Sequence, residues 1–274
     1  MLIDALHFEF MRNALFAGLF ASVICGVLGT FIVVNRMVFL SGGIAHASYG
    51  GIGLALFFGF PFLAGTMGFS LIAAILMTAV FLKAKDRADT FIGVLWAVGM
   101  AIGVILIDLT PGYTPDLMSY LFGSILAVPV SDLWWMAGLC VITLFLTGYF
   151  YRDMLAISYD EEFARLRGVP VTLIYFLFMV LVAISIVFVI RVVGLILVIA
   201  LLTIPPYIAE KYARSLGGAM VMAVLLSALF NTCGLALAYA KNLTSGAAII
   251  MVAAGGFFIS IVLDFIIDFL RKTW

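Results

Sequence analysis

Runs of about 20 apolar residues recur along nearly all of this 274-residue chain, and no other feature constrains the fold as strongly. A run of that length crosses the hydrocarbon core of a bilayer as one helix. Inside lipid the backbone N–H and C=O groups find no water. Each crossing must therefore satisfy them internally, which runs this long do as α-helices rather than as barrel strands. Charged residues make up 10% of the chain, against about 25% in soluble domains, so a soluble fold is excluded. The first run is long, lacks a small-x-small cleavage site and is followed by further runs, so it reads as a crossing and not as a signal peptide.

The pattern predicts spans over 13–34, 37–58, 62–82, 90–108, 133–151, 172–190, 192–209, 215–240 and 246–269, after an interfacial segment at 1–12. The stretch 117–130 is shorter, ends at Pro129 and is expected to be a partial or re-entrant helix. Pro205 and Pro206 remove two backbone donors from the seventh span and are expected to end or kink it. Glycines crowd the first, second and fourth spans, and Gly99 with Gly103 forms a GxxxG, a spacing that lets helices approach closely in lipid. Cys25, Cys140 and Cys233 all fall in apolar runs and read as small buried hydrophobes. The expected architecture is an all-α integral membrane protein: one domain over 1–274, a polytopic bundle of 8–9 transmembrane helices.

One polar stretch interrupts the pattern at Arg152–Val171, RDMLAISYDEEFARLRGVPV. Ser158 with Glu161 has capping-box spacing. Asp160, Glu161 and Glu162 suit the positive end of a helix dipole, and Arg165 and Arg167 suit its negative end. Gly168 and Pro170 supply a stop. A helix of about nine residues, roughly 14 Å long, is expected within 158–168. Tyr159, Phe163 and Leu166 share one of its faces. Such a helix is either a solvated surface loop or a docking knob for a soluble partner. With the N-terminus outside, only Arg12, Arg191 and Lys241 of the 14 lysines and arginines lie outside. The positive-inside rule therefore turns the polar helix toward the cytoplasm.

The chain has no GxxxxGK[ST] loop to cradle a nucleotide phosphate. It also has no string of ionisable residues across the membrane middle that a proton relay would use; Asp108 and Asp264 lie near span ends. An intramembrane enzyme needs two or more polar groups at one depth, and only His46 lies near the midplane; His7 reads as surface. A neutral imidazole is a good ligand for zinc or iron. These features favour a transporter driven by an external motor, the alternative being an ATP-independent secondary transporter or channel.

Five stretches resemble the membrane subunit of bacterial ATP-binding cassette (ABC) importers for zinc, manganese or iron. They are MVFLSGGIAHASYGGIGLAL (37–56), DLMSYLFGSILAV (116–128), DEEFARLRGVPV (160–171), VGLILVIALLTIPPYIA (193–209) and NLTSGAAIIM (242–251), in the family's order. The seventh span also resembles the more distant permeases for vitamin B12 and iron-siderophores. The resemblance implies a homodimer in the inner membrane of a bacterial or archaeal cell. A separate ATPase subunit would dock on the cytoplasmic coupling helix, through Tyr159, Asp160, Glu161, Phe163, Arg165, Arg167 and Gly168. An extracytoplasmic protein would deliver the metal, with no nucleic acid involved and no permanently bound cofactor. It implies a translocation path at His46, with Asp108, Asp116 and Asn242 as further candidates and Tyr120 and Tyr239 beside them. Many relatives read GDxxSH where this chain has Gly42 one turn before His46, and Asn242 stands where a carboxylate is common.

Overall fold

The computed structural model describes residues 7–112, 123 and 125–272, with side chains for all of these except 86 and 267–272. Eleven α-helices follow one another among the described residues. They are α1 (Glu9–Val34), α2 (Val38–Phe58), α3 (Phe62–Lys83), α4 (Ala88–Asp108), α5 (Val130–Tyr149), α6 (Tyr151–Tyr159), α7 (Glu161–Leu166), α8 (Val171–Val193), α9 (Leu195–Tyr212), α10 (Leu216–Lys241) and α11 (Ser245–Lys272). Eight of the nine long helices are long and apolar enough to cross a membrane. The ninth, α2, has 21 residues, also enough for a crossing; its glycines, Ser41, Ser48 and His46 dilute its hydropathy.

Helix α1 is the hub. Of its span, 72% is buried inside the protein, against 22% for α4 and 17% for α11 at the periphery. Small residues set its packing: a Cβ on Gly26 would meet the backbone of Val224 in α10 at 2.7 Å, and one on Gly29 would meet the Leu202 carbonyl oxygen of α9 at 2.5 Å. Two lipid-immersed helices gain nothing from the hydrophobic effect when they meet, so close backbone approach and dispersion must hold them. Three buried hydroxyls in the spans are satisfied within their own helix: Ser22 donates to Gly18 O and Thr30 to Gly26 O in α1, and Thr78 to Ala74 O in α3.

Two boundaries depart from the sequence pattern. The seventh predicted span passes its prolines and stops at 209; α9 runs through Pro205 and Pro206 to Tyr212, so the pair does not end the helix. The prolines free the carbonyls of Leu201 and Leu202, and Gly29 of α1 lies directly on the second of these. The break between α8 and α9 falls at Gly194, not near Arg191, because φ 87° with ψ 162° is a conformation essentially reserved for glycine. Of the stretch expected to be re-entrant, 117–122 and 124 lie outside the described residues. Its described end is a 3₁₀ turn, Ile125–Ala127, followed by Val128, whose carbonyl accepts from Asn13 of α1 at 3.3 Å.

Ion pairs mark the two ends of the bundle. Lys85–Glu161, Arg165–Glu161 and Lys211–Asp264 lie at the end carrying α6 and α7, and Arg191–Asp132 at the other. Among the described residues no Asp, Glu, Lys or Arg falls in the middle turns of a span, as the bilayer as solvent requires.

Candidate functional site

His46 is the ninth residue of α2, about 12 Å along the helix axis and near its middle. Its ring stacks on the indole of Trp96 in α4, with centroids 4.1 Å apart and planes 15° from parallel. The Trp96 Nε1–H donates to Met100 Sδ at 3.2 Å, which fixes the indole and through it the imidazole plane. His46 Nδ1 is buried and has no hydrogen-bond partner. A buried polar atom left so is unfavourable, and a ligand that takes its lone pair removes the penalty.

The backbone around His46 is arranged by glycine. On α2, Gly50 and Gly53 meet the Gly99 and Gly103 carbonyl oxygens of α4 at 2.7 and 2.6 Å from an added Cβ, and Gly99 meets the Ala47 Cα at 2.9 Å. The GxxxG is therefore half of a backbone-to-backbone seam that brings Trp96 over His46. Gly42 and Gly43 lie one turn before the histidine, where a residue without a side chain can leave room beside it. Gly43 does not, since a Cβ there would meet Ile92 at 2.6 Å; at Gly42 nothing lies within 4 Å. The open side of His46 is thus the turn at Gly42.

The other predicted path residues do not join His46. Asp108 is exposed at the far end of α4. Asn242 is exposed beyond α10, in the left-handed conformation that terminates the helix (φ 53°). Tyr239 is 39% exposed near the same end. Asp116 and Tyr120 lie outside the described residues. Among the described residues no three His, Cys, Asp or Glu side chains converge. Trp96 was not anticipated from the sequence, because an aromatic in an apolar span carries no local signal that it faces a histidine on another helix.

The polar stretch folds as two helices rather than one. Ser158 is not the cap: its hydroxyl donates to Met154 O at 2.8 Å and accepts from Asn35 Nδ2 at 3.0 Å. Asp160 is the cap instead, accepting from the Phe163 N–H at 2.9 Å. Asp160 has extended backbone (φ −155°, ψ 102°), which ends α6 and leaves α7 with six residues. Gly168 takes the left-handed conformation at φ 82° as expected. Tyr159, Phe163 and Leu166 are 80%, 52% and 86% exposed, while Ala164 on the opposite side is fully buried. The Arg167 guanidinium lies over the Phe163 ring at 5.3 Å. An apolar and cationic face this open on a six-residue helix contributes nothing to its own fold and is suited to a partner.

Glu161 faces the body of the protein. Burial raises its carboxyl, but hydrogen bonds from Lys85 and Arg165 outweigh burial and hold it below the usual carboxylate range. Lys85 was likewise not singled out from the sequence, where it is one charge in the KAKDRAD loop.

Comparison with known proteins gives a consistent picture. The family described as "ABC 3 transport family" matches residues 7–264. An uncharacterized membrane protein of Synechocystis sp. is 50% identical over 260 residues, 95% of this chain and 92% of that one. The manganese import system permease protein ScaB of Streptococcus parasanguinis is 35% identical, covering 94% and 92% of the two chains. A chain in the structure of PsaBC from Streptococcus pneumoniae in complex with Fab superposes with a TM-score of 0.83 at 34% identity, covering 94% of each chain.

Proposed function

Because the chain belongs to the ABC 3 transport family, we propose that it is the membrane permease subunit of an ABC importer for a divalent transition-metal ion. A separate ATPase subunit powers it and an extracytoplasmic binding protein supplies it. The observation that carries this reading is the exposure of Phe163 and Leu166 on α7, and of Tyr159 at the end of α6, at the end of the bundle that the charge rule assigns to the cytoplasm. The chain has no nucleotide loop of its own, so energy must enter through such a surface.

Alternating access in a homodimer suits the bundle. The helices least covered by their own chain, α4 and α11, are the ones a second copy can cover, and α4 carries the indole against His46. We place the ion's path along the open side of His46 at Gly42. One imidazole without a carboxylate binds a dication weakly, which suits a path that must release its cargo. Zinc and iron accept imidazole readily, whereas manganese prefers oxygen ligands. Relatives named for manganese import keep that ion among the candidates. Asp108 and Asn242 are proposed at the outer approach rather than at the midplane; Asp116 remains a candidate from the sequence.

The test is co-purification of the full chain with an ATPase subunit, followed by metal-stimulated hydrolysis in proteoliposomes. Phe163→Asp is expected to release the subunit while the chain stays folded, because the residue is half exposed. If the subunit stays bound to the variant, or if none binds the wild type, the reading is wrong and an ATP-independent transporter replaces it.

A further inference from the structure

The Glu161 carboxylate turns away from the docking face and meets three groups. Lys85, in the turn between α3 and α4, forms an ion pair with Oε2. Arg165, one turn along α7, donates to Oε1 through Nε at 3.3 Å and through a terminal nitrogen at 2.9 Å. Tyr175 of α8 donates to Oε2 at 3.5 Å. The Glu161 side chain is 19% exposed, against 51% for Lys85. One carboxylate thus fastens a six-residue helix both to the α3–α4 turn and to α8.

The fastening continues inward. The Lys85 ammonium lies over the Phe81 ring of α3 at 5.9 Å. Phe81 lies 6.0 Å from the Tyr175 ring, and Tyr175 lies 6.3 Å from Phe31 of the hub helix α1. Helix α4 leaves the turn that holds Lys85 and carries Trp96, stacked on His46. A displacement at the foot of a rigid helix reaches its middle through the backbone hydrogen bonds, a contiguous physical route of the kind coupling requires. Two further directional bonds leave the polar stretch: Asn35 to Ser158 engages α6 and not α7, and Arg165 to Thr172 at 3.5 Å ties α7 to α8 but not to the α3–α4 turn.

We propose that Glu161 is a coupling strut: through Lys85 it ties the docking helix to the α3–α4 hairpin, so that movement of α7 by a bound ATPase subunit shifts Trp96 against His46. Glu161 and Lys85 are positioning residues in this scheme and touch neither nucleotide nor ion. The proposal rests on the permease reading above. Lys85 is half exposed and Arg165 still pairs with Glu161 in its absence, so substituting Lys85 costs little fold stability and reads coupling rather than folding.

The test reconstitutes the full chain with its ATPase subunit and uses Mn²⁺ as the probe ion. Two quantities are measured, the ATPase subunit retained and the ions accumulated per ATP hydrolysed. Lys85→Gln is expected to retain the subunit but to lower the ion-to-ATP ratio about fivefold or more, the scale of energetic coupling between separated sites. Lys85→Glu lowers it likewise, and Lys85→Glu with Glu161→Lys restores most of the ratio. An unchanged ratio in Lys85→Gln, or a reversed pair no better than Lys85→Glu alone, overturns the strut. Loss of the subunit in Lys85→Gln also overturns it, by moving Lys85 to the docking surface. A wild-type chain that retains no ATPase subunit instead overturns the permease reading itself.

Discussion

Alanine at Gly53 and alanine at Gly42 are the same substitution on the same helix, and the structure predicts opposite outcomes. A Cβ on Gly53 would lie 2.6 Å from the Gly103 carbonyl oxygen and 2.7 Å from its Cα, both backbone atoms that no rotamer change can move. Reaching ordinary contact, which begins at 3.4 Å, requires α2 and α4 to separate by about 0.8 Å. Overpacking of this kind costs about 1–3 kcal/mol, and alanine's better helix propensity returns about 1 kcal/mol. The net loss is about 0–2 kcal/mol, read as a fall in Tm of up to about 8 °C for a chain of this size. At Gly42 nothing lies within 4 Å, so only the propensity gain operates and Tm rises by about 2–4 °C. Thermal unfolding of the purified variants in one detergent, followed by size-exclusion recovery, measures both. If Gly53→Ala proves as stable as Gly42→Ala, the glycine seam does not hold α2 to α4 and the account of how Trp96 reaches His46 fails.

Two further outcomes follow from the same geometry. Gly42→Asp places a carboxylate one turn before His46 in open space. It is expected to tighten Mn²⁺ retention by tenfold or more, given about 4 kcal/mol between unit charges at 4 Å and effective dielectric 20, and His46→Ala in the same background abolishes the gain; equilibrium dialysis with Mn²⁺ checks it. The folded-state pKa of Glu161 is depressed below its ordinary 4.5 by Lys85 and Arg165, with Tyr175 as the third facing group. Its stabilising contribution is therefore fully present above about pH 4.5 and is lost as pH falls through the depressed value. The Tm gap between wild type and Glu161→Gln is expected to hold constant from pH 8 to about 5 and to narrow only below that. A gap that closes between pH 8 and 6 contradicts the assignment.

Length and hydropathy alone determine that this chain crosses a membrane repeatedly, because about 20 apolar residues in a row have no other stable disposition in water. The distribution of lysine and arginine supplies the expected orientation, and the mixed-charge stretch falls between two spans. Gly168 announces its own role locally, since a left-handed end needs only the residue itself. The sequence points to Ser158 as the cap and the structure to Asp160, because Ser158 is claimed by Asn35 at the end of α1, a contact 123 residues away in sequence. In the same way the sequence leaves open whether Pro205 and Pro206 end or kink their span; α9 runs through them, with Gly29 of α1 against the Leu202 carbonyl oxygen. The stacking of Trp96 on His46, the open side at Gly42 and the hold of Lys85 on Glu161 depend on which helices lie side by side. In lipid that choice is made by the shape of small residues across a seam. No hydrophobic period along one helix records it, because every face of these helices is apolar.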